Sequence, residues 1–375
     1  MSQLPPNAVS DTPKAKDRIN QPNPSPAPPP SRSDNVHFVP ASKSNLPSLL
    51  SRFGDASSSN WLEGNYDVWR GEGATYDSPK VQGYLRHGRW VFAWGDPLCE
   101  PTKEKRKEAA TEFVEWAKEE KLKVVWCCVT SEFEEVLAEG LEGVGWSTLS
   151  CLKEDVLYPG RVTFKSHDLK RNLRRAERAD VSCAELHLKD PDYLPDDETK
   201  TAIDSGLEAW RKSRHGLGKH IASASLDPWI DTGNRRYFLA RTPHEIVGVC
   251  ILTPIADGSY HIRNAIHFPT ASRGTSEALL THVIKTMKEE GRRSLTFGAS
   301  ATENLVLEHN IRRGVRMRIL ERAYSAIMAR TGLAQRGQFR SKFETEPNER
   351  LHVSFPPHSF GLRTLLALNK TLKVK

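Results

Sequence analysis

The sequence predicts an α/β protein in which one strand–helix unit occurs twice, the two copies joined by a basic helix. Residues 66–158 read β-β-β-α-β-α-β, residues 236–300 repeat β-β-β-α-β, and between them Lys165–Arg178 (KSHDLKRNLRRAER) has the period of a single charged helix. The expected organisation is a proline-rich tail over 1–35, a first unit over 36–160, the basic helix and second unit over 161–360, and a basic amphipathic tail over 361–375.

Nine prolines precede Ser31, and the polar residues between them cannot bury enough apolar surface to offset the entropy of ordering. The run PSPAPPPS reads as a spacer, with a polyproline ligand as the alternative. Order is expected near Val36, with a short helix in SNLPSLLSRFG ended by Gly54. A Ser-rich loop follows, then strands in NYDVWRG, KVQGYLR and RWVFAWGDP, rich in aromatic and β-branched residues. Helix 103–120 places Ala110, Phe113, Val114 and Ala117 on one face. Strand KVVWCCV, helix SEFEEVLAEGLE and strand WSTLSCLKEDVLY close the first unit.

In the joining helix Lys170, Arg174 and Arg178 share a face, with Arg171 and Arg175 alongside. Six basic residues against two acidic ones make it the densest positive stretch, either a solvated face or a contact for phosphates. Strand VSCAELHL and helix DETKTAIDSGLEAWRKSRH lead to the second unit: strands RYFLA, EIVGVCILTP and SYHIRNAIHF, the turn Pro269–Gly274, a long helix from Thr275 and strand SLTFGAS. The turn places Ser272, Arg273 and Gly274 ahead of a helix whose first N–H groups are free to meet an anion or a polarised carbonyl. After Ser300 an Arg-rich helical region is expected, carrying Arg312 and Arg313. The closing GLRTLLALNKTLKVK either touches a membrane surface or packs on the body.

Composition narrows the function. The net charge of +7 favours polyanionic partners, nucleic acid or an anionic membrane face. The most apolar run, Ile246–Ile255, is far short of the roughly 18–20 residues of a membrane span. No secretory h-region opens the chain, and six Cys without CxxC spacing read as reduced core residues of an intracellular protein. The His residues lack ligand spacing, so no metal is expected.

Six motifs in order resemble one family. GDPLCEP (Gly95–Pro101), KRNLRRAERADVS (Lys170–Ser182), AWRKSR (Ala209–Arg214), PTASRGTSEALL with its acidic Glu277, SLTFGAS, and FRSKFETEPNER (Phe339–Arg350) resemble the phosphatidylglycerol lysyltransferase C-terminal domain family. The resemblance covers roughly 36–357 and implies a tandem acetyltransferase-like (double GNAT-type) fold. It also implies transfer of an amino acid from aminoacyl-tRNA to a lipid hydroxyl, the aminoacyl-tRNA serving as co-substrate with no further cofactor. Without a membrane domain or a fused synthetase, the chain is similar to the freestanding fungal sterol aminoacyltransferases, which implies ergosterol as acceptor and glycyl-tRNA as donor. A cytoplasmic location follows, with peripheral contact to membranes or lipid droplets left open.

One departure bears on the amino acid. Where bacterial members have Asp-Leu-Met-Arg, this chain has His261-Ile262-Arg263-Asn264, with no carboxylate to suit a lysine side chain. The resemblance and the chemistry of ester transfer together nominate Arg263 and Lys342 for the carbonyl and the 3′-terminal nucleotide. Ser272, Arg273 and Gly274 would form a cradle for the acyl group. His261, His267 and Glu277 are the candidate proton acceptors, with the amino acid's own amine as an alternative. Lys170, Arg171, Arg174, Arg175, Arg312 and Arg313 would meet tRNA phosphates. Lys342 is expected on a strand. Three other functions remain open: aminoacylation of phosphatidylglycerol, an acetyl-CoA-dependent N-acetyltransferase, and a non-catalytic RNA- or membrane-binding adaptor. The single glycine of Ser272-Arg273-Gly274-Thr275-Ser276 argues against a pyrophosphate loop.

Overall fold

The computed structural model describes residues 43 and 45–371, apart from 142, 189–193, 214–226, 312–313, 332, 358 and 360. The expected proline-rich tail lies outside the described residues, as do Arg312, Arg313 and Arg214.

Among the described residues eleven strands join one sheet. In chain order they are β1 (Asp67–Arg70), β2 (Val81–His87), β3 (Trp90–Trp94), β4 (Lys123–Val129), β5 (Ser147–Leu157), β6 (Ser182–Leu186), β7 (Arg236–Arg241), β8 (Ile246–Ile255), β9 (Ser259–His267), β10 (Leu295–Leu307) and β11 (Glu346–Phe355). The helices are α1 (Leu46–Phe53), α2 (Lys103–Glu119), α3 (Ser131–Glu139), α4 (His167–Arg178), α5 (Asp197–Ser213), α6 (Thr275–Glu289), α7 (Val315–Thr331), α8 (Leu333–Ser341) and α9 (Leu362–Thr371). The spatial order is β1-β2-β3-β4-β11-β5-β10-β9-β8-β7-β6. Each half therefore has a run of antiparallel strands, β1–β3 or β6–β9, and then a parallel pair reached through a helix: β3 with β4 through α2, and β9 with β10 through α6. This is the repeated unit the sequence predicts, a tandem acetyltransferase-like fold.

The helices form where their apolar stripes fall. Ala110, Phe113, Val114 and Ala117 of α2 are buried as expected, against Val124 and Trp126 of β4. Leu279, Leu280, Val283, Ile284 and Met287 of α6 cover β8 and β9 around Cys250, Leu252 and Ile262. Ile203, Leu207 and Trp210 of α5 cover Val249, Ile251 and Ile266. Burying such a side chain stabilises by about 1.5–3 kcal/mol. The six Cys are free and buried or half-buried.

Three readings of the sequence are corrected. The strand expected to end at Ser300 continues to Leu307, because Val306 and Leu307 pair again with β5 after an irregular stretch. Lys342 is not on a strand: it occupies the turn after α8, where Phe339 and Phe343 stack edge to face at the four-residue spacing of a helix, 5.6 Å apart. LHVSF, left without an element, lies in β11, which inserts between β4 and β5. The C-terminal segment packs on the body, with Ala367 and Leu368 of α9 in the same core as Val81 and Phe92. Among the described residues no helix is long and apolar enough to cross a membrane.

Candidate active site

Two strand irregularities build the site. In β9, Asn264 pairs with Ile251 and Ile262 with Leu252, so Arg263 is the extra residue of a bulge. Bulges re-aim a side chain and are common beside active sites. In β10, Thr296 pairs with Val156 and Ala299 with Glu154, which places a second bulge at Phe297–Gly298. The parallel pairing of β9 with β10 ends at His261 opposite Thr296, so the strands part at this point.

A segment of the first half meets that point. Residues 55–63, which include the 3-10 helix Ser58–Leu62, run between the halves. Trp61 lies against Gly83, where any Cβ would meet the indole at 2.1 Å, and its Nε1 donates to the Trp94 carbonyl at 2.7 Å. On the other side Ser59 Oγ lies 2.7 Å from His261 Nδ1, and Arg263 Nη1 donates to Asn60 Oδ1 at 2.7 Å. Glu63 Oε1 accepts from Arg263 Nε at 3.1 Å, Arg263 Nη2 at 3.0 Å and Arg235 Nη2 at 3.4 Å. Glu63 and Arg235 are buried and Arg263 nearly so, a setting in which removing one partner costs about 3–5 kcal/mol.

His261 is buried, and its burial, then Arg263, Arg340 and Arg235, push its imidazole down to about 3. It is therefore neutral at physiological pH. Ser59 Oγ donates to the Ala56 carbonyl at 2.9 Å, which leaves His261 Nδ1–H to donate to Ser59 and Nε2 with the lone pair. Nε2 faces Gly298: a Cβ there would lie 2.8 Å from it. Arg340 of α8 binds the buried Asp155 at 2.8 Å and lies over the Phe297 ring at 5.3 Å. Arg235, Arg263 and Arg340 against Glu63 and Asp155 leave the surroundings of His261 net positive.

The other nominated residues form a second group. Glu277, in the first turn of α6, is buried, and its Oε1 accepts from Asn172 at 2.8 Å and Lys342 at 3.0 Å. Lys342 also meets Asp168 at 2.6 Å. Burial lowers its amine's affinity for protons, but Asp168 and Glu277 outweigh this and raise its pKa. His267 is exposed, with Nδ1 2.8 Å from Ser276 Oγ. At the turn, Ser272 is half-buried, Arg273 exposed and Gly274 buried. Gly274 (φ 97°) touches α4, since a Cβ would lie 2.1 Å from the Asn172 carbonyl. On α4, Lys170, Arg171, Arg174 and Arg175 are all exposed, while Leu169, Asn172 and Ala176 face inward.

The structure thus brings His261 and Arg263 together, Glu277 and Lys342 together, and His267 beside the start of α6. Sequence reasoning missed Ser59, Asn60, Glu63, Arg235, Asp155 and Arg340. Arg340 stood inside the FRSKF motif, whereas Ser59–Glu63 lay in a loop with no periodicity to mark them. Asp96 is half-buried and caps α3 through Thr130, its Oδ2 accepting from Thr130 Oγ1 at 2.6 Å. Among the described residues no group of His, Cys, Asp and Glu could hold a metal ion.

A family model described as phosphatidylglycerol lysyltransferase, C-terminal, matches residues 57–351, from the segment at Asn60 and Glu63 into β11. The chain belongs to that family. Among solved structures, the family member's fold is similar to that of L-PGS from Bacillus licheniformis, at 14% identity and a TM-score of 0.67, covering 91% of this chain and 100% of that one. It is also similar to a DUF2156 C-terminal domain from Agrobacterium fabrum, at 16% identity and a TM-score of 0.62, covering 84% and 90%. A conserved protein of unknown function from Bacteroides thetaiotaomicron matches at 12% identity and a TM-score of 0.57, covering 84% and 97%. No curated protein matches the family member's sequence.

Proposed function

We propose that the chain transfers an amino acid from aminoacyl-tRNA to a lipid hydroxyl, with glycine as the amino acid and the 3β-hydroxyl of ergosterol as the acceptor. The observation that carries the transferase reading is the family match over 57–351, which takes in both the Arg263 cluster and the exposed basic face of α4. An aminoacyl ester is already activated, so the protein supplies position and charge. Arg263 uses Nε and one N–H on each terminal nitrogen to hold Asn60 and Glu63, which leaves one N–H on each for the carbonyl oxygen as it becomes an oxyanion. The net positive surroundings stabilise that charge. Lys170, Arg171, Arg174 and Arg175 meet the tRNA phosphates. His261, with a conjugate acid near 3, is a weak base, so the amine of the aminoacyl group takes the hydroxyl proton. The hydroxyl oxygen attacks the carbonyl, the tetrahedral intermediate expels the ribose oxygen, and that oxygen leaves with the proton.

Glycine is supported by charge. β9 carries no acidic side chain in His261–Asn264, and three arginines surround the site against two carboxylates. A cationic lysine side chain would meet that field at a cost, and a glycyl group has no side chain. Access to the sterol would be peripheral. The test is a screen of charged tRNAs against ergosterol and phosphatidylglycerol vesicles. Glycyl-tRNA with ergosterol should give an alkali-labile sterol ester, abolished by RNase. Ester formed equally well without tRNA refutes the reading, and lysyl transfer to phosphatidylglycerol replaces its finer part.

A further inference from the structure

We infer that Glu63 recognises the α-amino group of the aminoacyl donor, an inference that rests on the aminoacyl-tRNA reading above. Glu63 is 2% exposed, and its Oε1 takes all three guanidinium contacts. Its Oε2 is buried and, among the described residues, has no hydrogen-bond partner. A buried carboxylate oxygen left unpaired is costly, so its persistence calls for an explanation. This oxygen belongs to the residue that fixes Arg263, beside the place where β9 and β10 part.

The pair matches what every aminoacyl ester presents on adjacent carbons: a carbonyl oxygen that accepts and an amine that donates. Arg263 has donors to spare and Glu63 has one acceptor to spare, side by side. The two roles need different groups because guanidinium nitrogen cannot accept and carboxylate oxygen cannot donate. Arg235 and Arg263 hold Oε1, so the carboxylate cannot turn away. One free oxygen serves one amine, whatever the amino acid. The choice of glycine then belongs to the surrounding charge and space, and Glu63 reads the part that distinguishes a free aminoacyl ester from an N-blocked one.

The experiment compares glycyl-tRNA with N-acetylglycyl-tRNA as donors to ergosterol vesicles, using the full chain and its Glu63→Gln variant. The wild type should prefer the free amine by about tenfold or more in kcat/KM, the worth of a charge-assisted hydrogen bond. Glu63→Gln should weaken use of both donors, since Glu63 also holds Arg263, but should fall further with glycyl-tRNA than with N-acetylglycyl-tRNA, so that the preference narrows. Equal use of both donors by the wild type overturns the inference, and with it the amine's role as proton acceptor, and leaves the transferase reading standing. An equal fall with both donors in folded Glu63→Gln also overturns it, since Glu63 would then act only by holding Arg263. Should Glu63→Gln fail to fold, Glu63→Asp keeps the charge on a shorter stem and should narrow the preference; an unchanged preference in Glu63→Asp counts against the inference. No product from either donor with the wild type refutes the transferase reading itself.

Discussion

At Gly298 the backbone has φ 70°, and the His261 ring occupies the space a side chain would need, 2.8 Å from a Cβ. Both facts oppose any substitution. Gly298→Ala should lower stability by about 1–3 kcal/mol in denaturant unfolding and displace His261 from Ser59. Wild-type stability with a lost reaction would show that only the site had moved, and wild-type values of both would contradict the packing described. His261 itself makes a pH prediction. Its pKa falls from 6.5 in the unfolded chain to about 3 in the folded one, so the unfolded chain binds the extra proton between those values. The stability gained by keeping it neutral is present above about pH 6.5 and is lost as pH falls toward 3. His261→Gln should flatten the acid side of the stability profile, measured by urea unfolding from pH 4 to pH 8.

The elements carry charge in two distinct ways. On α4 it faces outward, while Leu169, Asn172, Leu173 and Ala176 face inward. Replacing Lys170, Arg171, Arg174 and Arg175 together with Ala should leave the melting temperature nearly unchanged. The slope of log affinity for tRNA against log salt should fall by about 3, for four lost phosphate contacts. An unaltered slope would move the RNA elsewhere. At the start of α3 the carboxyl of Asp96 is half-buried. Burial, and then Asp55, raise Asp96 to about 7, against Thr130, which favours its ionised form. Its contribution is full below the unfolded carboxylate pKa and is lost as pH rises through about 7, the opposite sense to His261. Asp96→Asn should therefore gain on the wild type between pH 5 and pH 8. The period of α4, predicted within Lys165–Arg178, was legible because one buried stripe and one charged face alternate at helical spacing. Lys342 was misplaced because FRSKFET alternates like a strand over three residues, while the packing of Phe339 on Phe343 decides for a helix. The strand carrying His261 and Arg263 could be read from its own residues. Asn60 and Glu63 could not, since their role arises from contacts some 200 residues away in sequence.

At the scale of the molecule, the halves are tied in opposite directions. The segment 55–63 reaches from the first half to β9, and β11 returns from the end of the second half to lie between β4 and β5. A chain stopped after Thr345 would leave β4 and β5 with unpaired edges, which promote aggregation. It should be recovered only as aggregate or with the first half unprotected in hydrogen exchange, and adding the β11 segment as a separate peptide should partly restore protection. A truncated chain with full protection would contradict the insertion of β11. The repeat within each half was readable because its elements follow one another in sequence. The exchange of the last strand was not, because the partners of LHVSF lie in the first half.

That exchange has a consequence for how the protein is made. β5 ends at Leu157, and the strand that fills the gap beside it ends at Phe355. At about 5–20 residues per second, the nascent first half waits roughly 10–40 s for its missing strand to be synthesised. The first half therefore cannot complete its sheet until the second half has been synthesised. Throughout that interval β4 and β5 are open to chaperones, or to the same edges on a neighbouring chain of the polysome.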